Sequence, residues 1–157
     1  MADKLPITLS GKLALEEELK RLKSVDRPSV IEAIATARAH GDLSENADYS
    51  AAREKQSFIE GRIGEIGDKL ARAEVIDPSQ IKSERVLFGA SVVVRDPDGK
   101  SSKYQIVGEP EADLSNKKIS VSSPLARALL NKIEGDECIV KSPKGDIVYE
   151  IEKVEFI

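Results

Sequence analysis

Between residues 49 and 73, Tyr49, Ala52, Gln56, Ile59, Ile63, Ile66, Leu70 and Ala73 recur at alternating spacings of three and four. On a helix that rhythm draws a single stripe along one face, the seam of a coiled coil, and the stripe must be covered by another helix. The covering helix lies upstream. Leu15, Leu19 and Leu22, followed by Val30, Ile34 and Ala37, carry a stripe of the same kind, in a text rich in Ala, Leu, Glu, Lys and Arg that favours helix from about Leu9 to Ala73. The phase slips by one residue between Leu22 and Val30, and Pro28 lies inside the slip. Proline lacks the backbone donor and crowds the preceding turn, so a kink or break is expected at residues 26–28. Gly41 suits the left-handed position that ends a helix and Asp42 can cap the next one, so the two arms run antiparallel through a short turn. At ~1.5 Å rise per residue, arms of roughly thirty residues make a rod on the order of 45 Å long with an exposed tip.

After Val75 the period changes. "IDPSQIKSERVLFG" brings a proline and polar residues, which places a boundary near residues 77–82 and divides the chain into 1–78 and 79–157. "ASVVVRDPDGKSSKYQIVG" reads as two strands around a Pro-Asp-Gly turn, and "DECIVKSPKGDIVYEIEKVEF" repeats the arrangement around Pro143 and Gly145. Between them, in "SPLARALLNKIEGD", Ser123 can cap a short helix with Pro124 at its first position, and Gly135 lies past its end. The expected fold class is α+β: an N-terminal antiparallel coiled-coil hairpin followed by a small antiparallel sheet with one helix.

Composition narrows the function. A chain of 157 residues divided in this way has no room for a large enclosed active site, so its work belongs to an exposed surface or a partner. The formal net charge of -4 gives no general attraction to nucleic acid or anionic membranes. One cysteine, Cys138, excludes an internal disulfide, and with a single histidine, His40, no zinc cluster of Cys and His forms. Cys138 sits in an apolar strand-like run and is expected to be buried and inert. No apolar signal core opens the chain and no run approaches the ~20 apolar residues of a membrane span, so the expectation is cytoplasmic.

The turn "HGDLSENADY" places Asp42 and Glu45 three residues apart. From spacing alone they read two ways. As structure, they form a capping box with Asp in place of Ser or Thr, favoured by the helix dipole and worth ~1 kcal/mol. As chemistry, they are two exposed ionised carboxylates, ligands for a hard cation such as Mg²⁺, and too few for a tight site unless another macromolecule supplies the rest.

"GDLSENADYSAARE", preceded by "RPSVIEAIATARAH" and followed by "EGRIGEIGDKLARAEVID", closely resembles the bacterial GreA/GreB family of transcript cleavage factors. "ISVSSPLARALLNKIEGDECIV" and the closing "YEIEKVEFI" extend the likeness over nearly the whole chain. The resemblance implies an FKBP-like C-terminal domain docked at the rim of the secondary channel of RNA polymerase, with the coiled coil passing down that channel. It implies that Asp42 and Glu45 help hold a Mg²⁺ shared with the polymerase, which then hydrolyses the 3′ end of a backtracked nascent RNA. The factor is then no enzyme itself and binds no cofactor stably alone; the free protein is expected to be a monomer, with a hairpin swapped between two chains as the alternative. Arg53 and Lys55 match a basic patch that meets the RNA 3′ end, and Ser123, Pro124 and Leu125 match a stretch implicated in docking on polymerase.

Each position also has a plainer reading. Arg53 and Lys55 can belong to a solvated helix face, and Ser123 to Leu125 can be a helix start whose Pro124 and Leu125 are exposed. Ser44 reads as an alternative N-cap rather than a group orienting water. Tyr49 reads as packing at the tip, and His40 as a favourable charge at a helix C-terminus. Three rival functions remain in view. A channel-binding regulator or inhibitor without cleavage activity would share the architecture and differ at the tip. An isomerase or chaperone would need an aromatic proline pocket from Phe88, Tyr104, Tyr149 and Phe156, and fold alone does not confer that activity. A generic coiled-coil adaptor would tolerate any tip sequence that keeps the turn.

Overall fold

The computed structural model describes residues 3–157. Its chain divides into two compact units: Leu13–Arg72, and the residues up to Lys12 together with Ala73–Ile157.

The first unit is the helical hairpin. Helix α1 (Leu9–Arg21) passes through a π turn (Leu22–Asp26) into α2 (Arg27–Arg38), and α3 (Ala47–Arg72) returns. The seam residues Leu15, Leu22, Val30, Ile34 and Ala37 are buried on one arm, and Ala52, Ile59 and Ile66 on the other. Each large aliphatic side chain so covered contributes about 1.5–3 kcal/mol. The arms are antiparallel: the Arg38 guanidinium lies 5.9 Å from the Tyr49 ring centroid near the turn, and Arg27 meets Glu60 at 2.8 Å further along. Arg62 adds a two-pronged pair with Glu18, at 2.6 and 2.9 Å.

Of the kink or break expected at residues 26–28, the break does not occur. The helix instead widens, with the Arg27 N–H donating to the Leu22 carbonyl five residues back. A π turn takes up one extra residue without interrupting the helical hydrogen bonds. It therefore absorbs the one-residue slip, and Leu22 and Val30 both reach the seam, 7% and 2% exposed. Pro28 is the second residue of α2 and follows directly on the widened turn, where Asp26 is itself helical at φ -68 and ψ -44.

The second unit holds a five-stranded sheet in the order β5-β4-β3-β7-β6, built from β3 (Ser91–Arg95), β4 (Ser101–Val107), β5 (Lys118–Ser120), β6 (Glu137–Ser142) and β7 (Gly145–Glu155). Three of its pairings are antiparallel, including both hairpins expected from the turn residues. The fourth is not: β5 runs parallel to β4 at the edge, so the sheet is mixed rather than wholly antiparallel. A three-residue strand carries no readable period, which is why it escapes a sequence reading. Helix α4 (Pro124–Leu129) begins as expected, with the Ser123 hydroxyl accepting from the Ala126 N–H at 3.2 Å. It covers a core of Val86, Val92, Val94, Ile106, Ile119, Leu129, Cys138 and Ile151. Cys138 is a free thiol inside that core, and burial pushes its pKa up, away from the reactive thiolate.

A second, two-stranded ladder joins β1 (Leu5–Thr8) to β2 (Ala73–Ile76) in parallel. It brings the first residues into the same unit as the sheet, whereas the composition shift near residues 77–82 divides the chain by sequence order alone.

Candidate functional site

The tip of the hairpin is the loop of residues 39–46. Gly41 opens it with φ +107, the left-handed conformation expected there. Asp42 does not cap a helix. Its Oδ1 accepts from the Ser44 N–H at 3.0 Å and the Ser44 hydroxyl at 2.8 Å, closing a local turn. Helix α3 begins only at Ala47, and its cap is Asn46, whose Oδ1 accepts from the Tyr49 N–H at 3.0 Å. Both the Asp42–Glu45 capping box and the Ser44 cap are therefore corrected. Three candidate cap residues stand within five positions, and only the start of the helix decides among them.

Asp42 and Glu45 are both exposed, and no hydrogen bond or ion pair holds Glu45 among the described residues. The Ser44 hydroxyl and N–H hold the Asp42 carboxyl below the usual carboxylate range. The same Asp-x-Ser turn recurs at Asp77–Ser79 and Asp113–Ser115, where the aspartate does cap a short helical turn. At the tip no helix follows it, and the carboxylate faces solvent. Among the described residues no group of three or more His, Cys, Asp and Glu side chains is arranged to hold a metal ion. Asp42, held in its turn by Ser44, and Glu45 are two exposed carboxylates three residues apart.

Arg53 and Lys55 do not share a patch. Arg53 borders a groove with Arg38, Ile31 and Gln56, and its guanidinium donates to the Gln56 side-chain oxygen at 3.1 Å. Lys55 borders the other flank, with Glu32, His40 and Asp48. Their two-residue spacing on α3 turns them to different sides. The cation beside Arg53 is Arg38, which sequence reasoning missed because it lies on the opposite arm. Tyr49 is half-buried under that Arg38, in keeping with packing at the tip. His40 lies just beyond the end of α2, its N–H donating to the Ala37 carbonyl at 3.1 Å.

In the sheet unit, Ser123 and Pro124 start α4, and Pro124 is exposed. Leu125 is not fully exposed as expected: it is half-buried and packed against the core, because it sits one position into a helix laid on the sheet.

The fold is an antiparallel helical hairpin with two exposed carboxylates on its turn, in a chain that also carries a small α+β unit. The family model described as "Transcription elongation factor, N-terminal" matches residues 5–75, and "Transcription elongation factor, GreA/GreB, C-term" matches residues 81–156. The chain belongs to the GreA/GreB family of transcription elongation factors. It is 57% identical to "Transcription elongation factor GreA" of Hyphomonas neptunium, over 98% of this chain and 99% of that one. It is 56% identical to the protein of the same name from Phenylobacterium zucineum, over 99% of each. Among solved structures, "Structure of the transcription factor Gfh1." is similar over 98% of this chain and 99% of its own, with 26% identity and a TM-score of 0.48. No helix among the described residues is long and apolar enough to cross a membrane.

Proposed function

We propose that this chain binds bacterial RNA polymerase at the rim of its secondary channel, passes its hairpin down that channel, and stimulates the polymerase's own cleavage of the 3′ end of backtracked nascent RNA. The observation that carries the reading is the release of Asp42 and Glu45 from any capping duty, since Asn46 caps α3. Helix α3 has 26 residues, about 39 Å at ~1.5 Å per residue, enough to place a tip deep in a narrow passage. A Mg²⁺ bound between factor and polymerase would supply Lewis-acid stabilisation and an activated water for phosphodiester hydrolysis. In this reading Asp42 and Glu45 contribute the factor's ligands, and Ser44 orients Asp42. Arg53, joined by Arg38, offers guanidinium groups to the RNA phosphates, and Lys55 meets the chain from the other flank. Ser123, Pro124 and Leu125 serve docking, with Pro124 as the exposed apolar contact. The factor is an accessory to the polymerase's catalytic site, and it works in the cytoplasm where transcription occurs.

The test is RNA cleavage in a purified backtracked elongation complex with Mg²⁺, comparing the parent with the Asp42→Ala, Glu45→Ala variant. Loss of two ligands that act on the transition state lowers the stimulated rate by at least about tenfold, the equivalent of ~1.4 kcal/mol, with polymerase binding retained. A parent that binds polymerase and never stimulates cleavage would move the protein to the channel-binding inhibitors.

A further inference from the structure

We propose that Asn46 is a positioning residue for the acidic pair, holding the tip loop closed so that Glu45 is fixed before any cation arrives; this rests on the cleavage-factor reading above. The Asn46 side chain makes two hydrogen bonds in opposite directions. Its Oδ1 accepts from the Tyr49 N–H at 3.0 Å, and its Nδ2 donates across the hairpin to the Ala37 carbonyl at 2.7 Å. A flipped amide would set carbonyl against carbonyl and N–H against N–H, so the partners fix its orientation. One side chain therefore caps α3 and pins the start of α3 to the end of α2.

The loop needs such a pin. On the α2 side it is held by the His40 and Gly41 N–H groups, which donate to the Ala37 and Arg38 carbonyls at 3.1 and 3.3 Å. Asp42 is then set by its own turn with Ser44. Glu45 has no partner among the described residues, so its place follows from the backbone of its neighbour, Asn46. Only an amide can serve here: a carboxylate accepts from Tyr49 but cannot donate to Ala37, and a serine hydroxyl is too short to span both. An N-cap alone would be satisfied by Asp or Ser as well as by Asn. The bond to Ala37 is what those residues cannot supply.

The experiment uses the full chain with backtracked elongation complexes over a range of Mg²⁺ concentrations. It compares the parent, Asn46→Ser, Asn46→Asp, and the Asp42→Ala, Glu45→Ala variant, with helical content and polymerase affinity measured for each. Asn46→Ser and Asn46→Asp keep the cap, so helicity and affinity are expected to stay near the parent's. At limiting Mg²⁺ their cleavage falls at least about tenfold, and half-maximal stimulation moves to higher Mg²⁺, because misplaced groups lose effective molarity. A purely structural role would not move that Mg²⁺ midpoint. If both variants cleave like the parent at every Mg²⁺ concentration while the Asp42→Ala, Glu45→Ala variant is inactive, the positioning role is overturned and the cleavage reading stands. If both lose helicity and affinity together, Asn46 is a cap only, and the proposal is likewise overturned. If the Asp42→Ala, Glu45→Ala variant also matches the parent, the underlying reading fails and this inference with it.

Discussion

The Glu111 carboxylate accepts from the Thr8 backbone N–H at 2.9 Å and from the Thr8 hydroxyl, linking residues 103 apart in the chain. Its Oε2 also accepts from the Gly108 N–H at 2.9 Å, and the Thr8 hydroxyl oxygen in turn accepts from the Gly11 N–H at 3.1 Å. Thr8 is 1% exposed, so these donors have no water to fall back on. The approach is close enough that a Cβ on Gly108 would overlap the Pro6 carbonyl oxygen, and one on Gly11 would overlap the Glu111 carboxyl.

Glu111→Ala is therefore expected to be among the more damaging single changes in the sheet unit. It leaves the Thr8 and Gly108 N–H groups buried without their acceptor, a loss of about 2–3 kcal/mol, while the Thr8 hydroxyl keeps the Ser10 hydroxyl at 3.2 Å. Gly108→Ala is expected to cost about 1–3 kcal/mol by a different route, since the new methyl meets backbone that cannot swing aside. Urea unfolding followed in each variant checks both. Gly61→Ala in α3, where a Cβ meets nothing within 4 Å, provides the contrast and should stabilise the helix by about 0.5–1 kcal/mol.

The π turn predicts an unusual rescue. Deleting Ser24 removes the extra residue and restores regular spacing between Leu22 and Val30. It also returns Pro28 to an ordinary α-helical environment, where its ring clashes with the carbonyl four residues back at a cost of about 3 kcal/mol. The deletion alone should lower the hairpin's thermal midpoint, and adding Pro28→Ala should recover most of it, read by circular dichroism melts. A deletion variant as stable as the parent would show that the widened turn does not relieve the proline.

Acid should loosen the hairpin through Glu18. The hydrogen bond from the Arg62 guanidinium holds its carboxyl below the usual carboxylate range, and Glu65 is lowered similarly by Lys69. A carboxylate depressed in the folded state adds stability that is present above its unfolded pKa of about 4.3 and is lost as pH falls through the lower folded value. The Glu18 side chain is 40% exposed, so solvent screening keeps the contribution below about 1 kcal/mol. Melting curves of the parent and Glu18→Gln at a series of pH values should differ at neutral pH and converge in strong acid.

Much of this molecule was legible in the residues because the information is local. The three-and-four rhythm from Tyr49 to Ala73 placed a helix and its buried face within one residue of where α3 ends, at Arg72. The Pro-Asp-Gly turn after Asp96, the pair of strands around Pro143 and the Ser123 cap of α4 are likewise written within a few neighbouring positions. Asp42 and Glu45 could be singled out as an exposed acidic pair from the turn alone.

What the tertiary structure decided depended on distant partners. The slip at Leu22 was visible, but whether it meant a break or a π turn rested on the seam of the opposite arm, which rewards burying both Leu22 and Val30. The pairing of Leu5–Thr8 with Ala73–Ile76 and the Thr8–Glu111 bonds join segments that no sequence period connects. At the tip, Asp42, Ser44 and Asn46 are each chemically able to cap a helix. The choice fell to Asn46 because it alone stands where its amide can reach both the Tyr49 N–H and, across the hairpin, the Ala37 carbonyl. Local chemistry set which residues were eligible, and the packing of one arm against the other settled which of them were used.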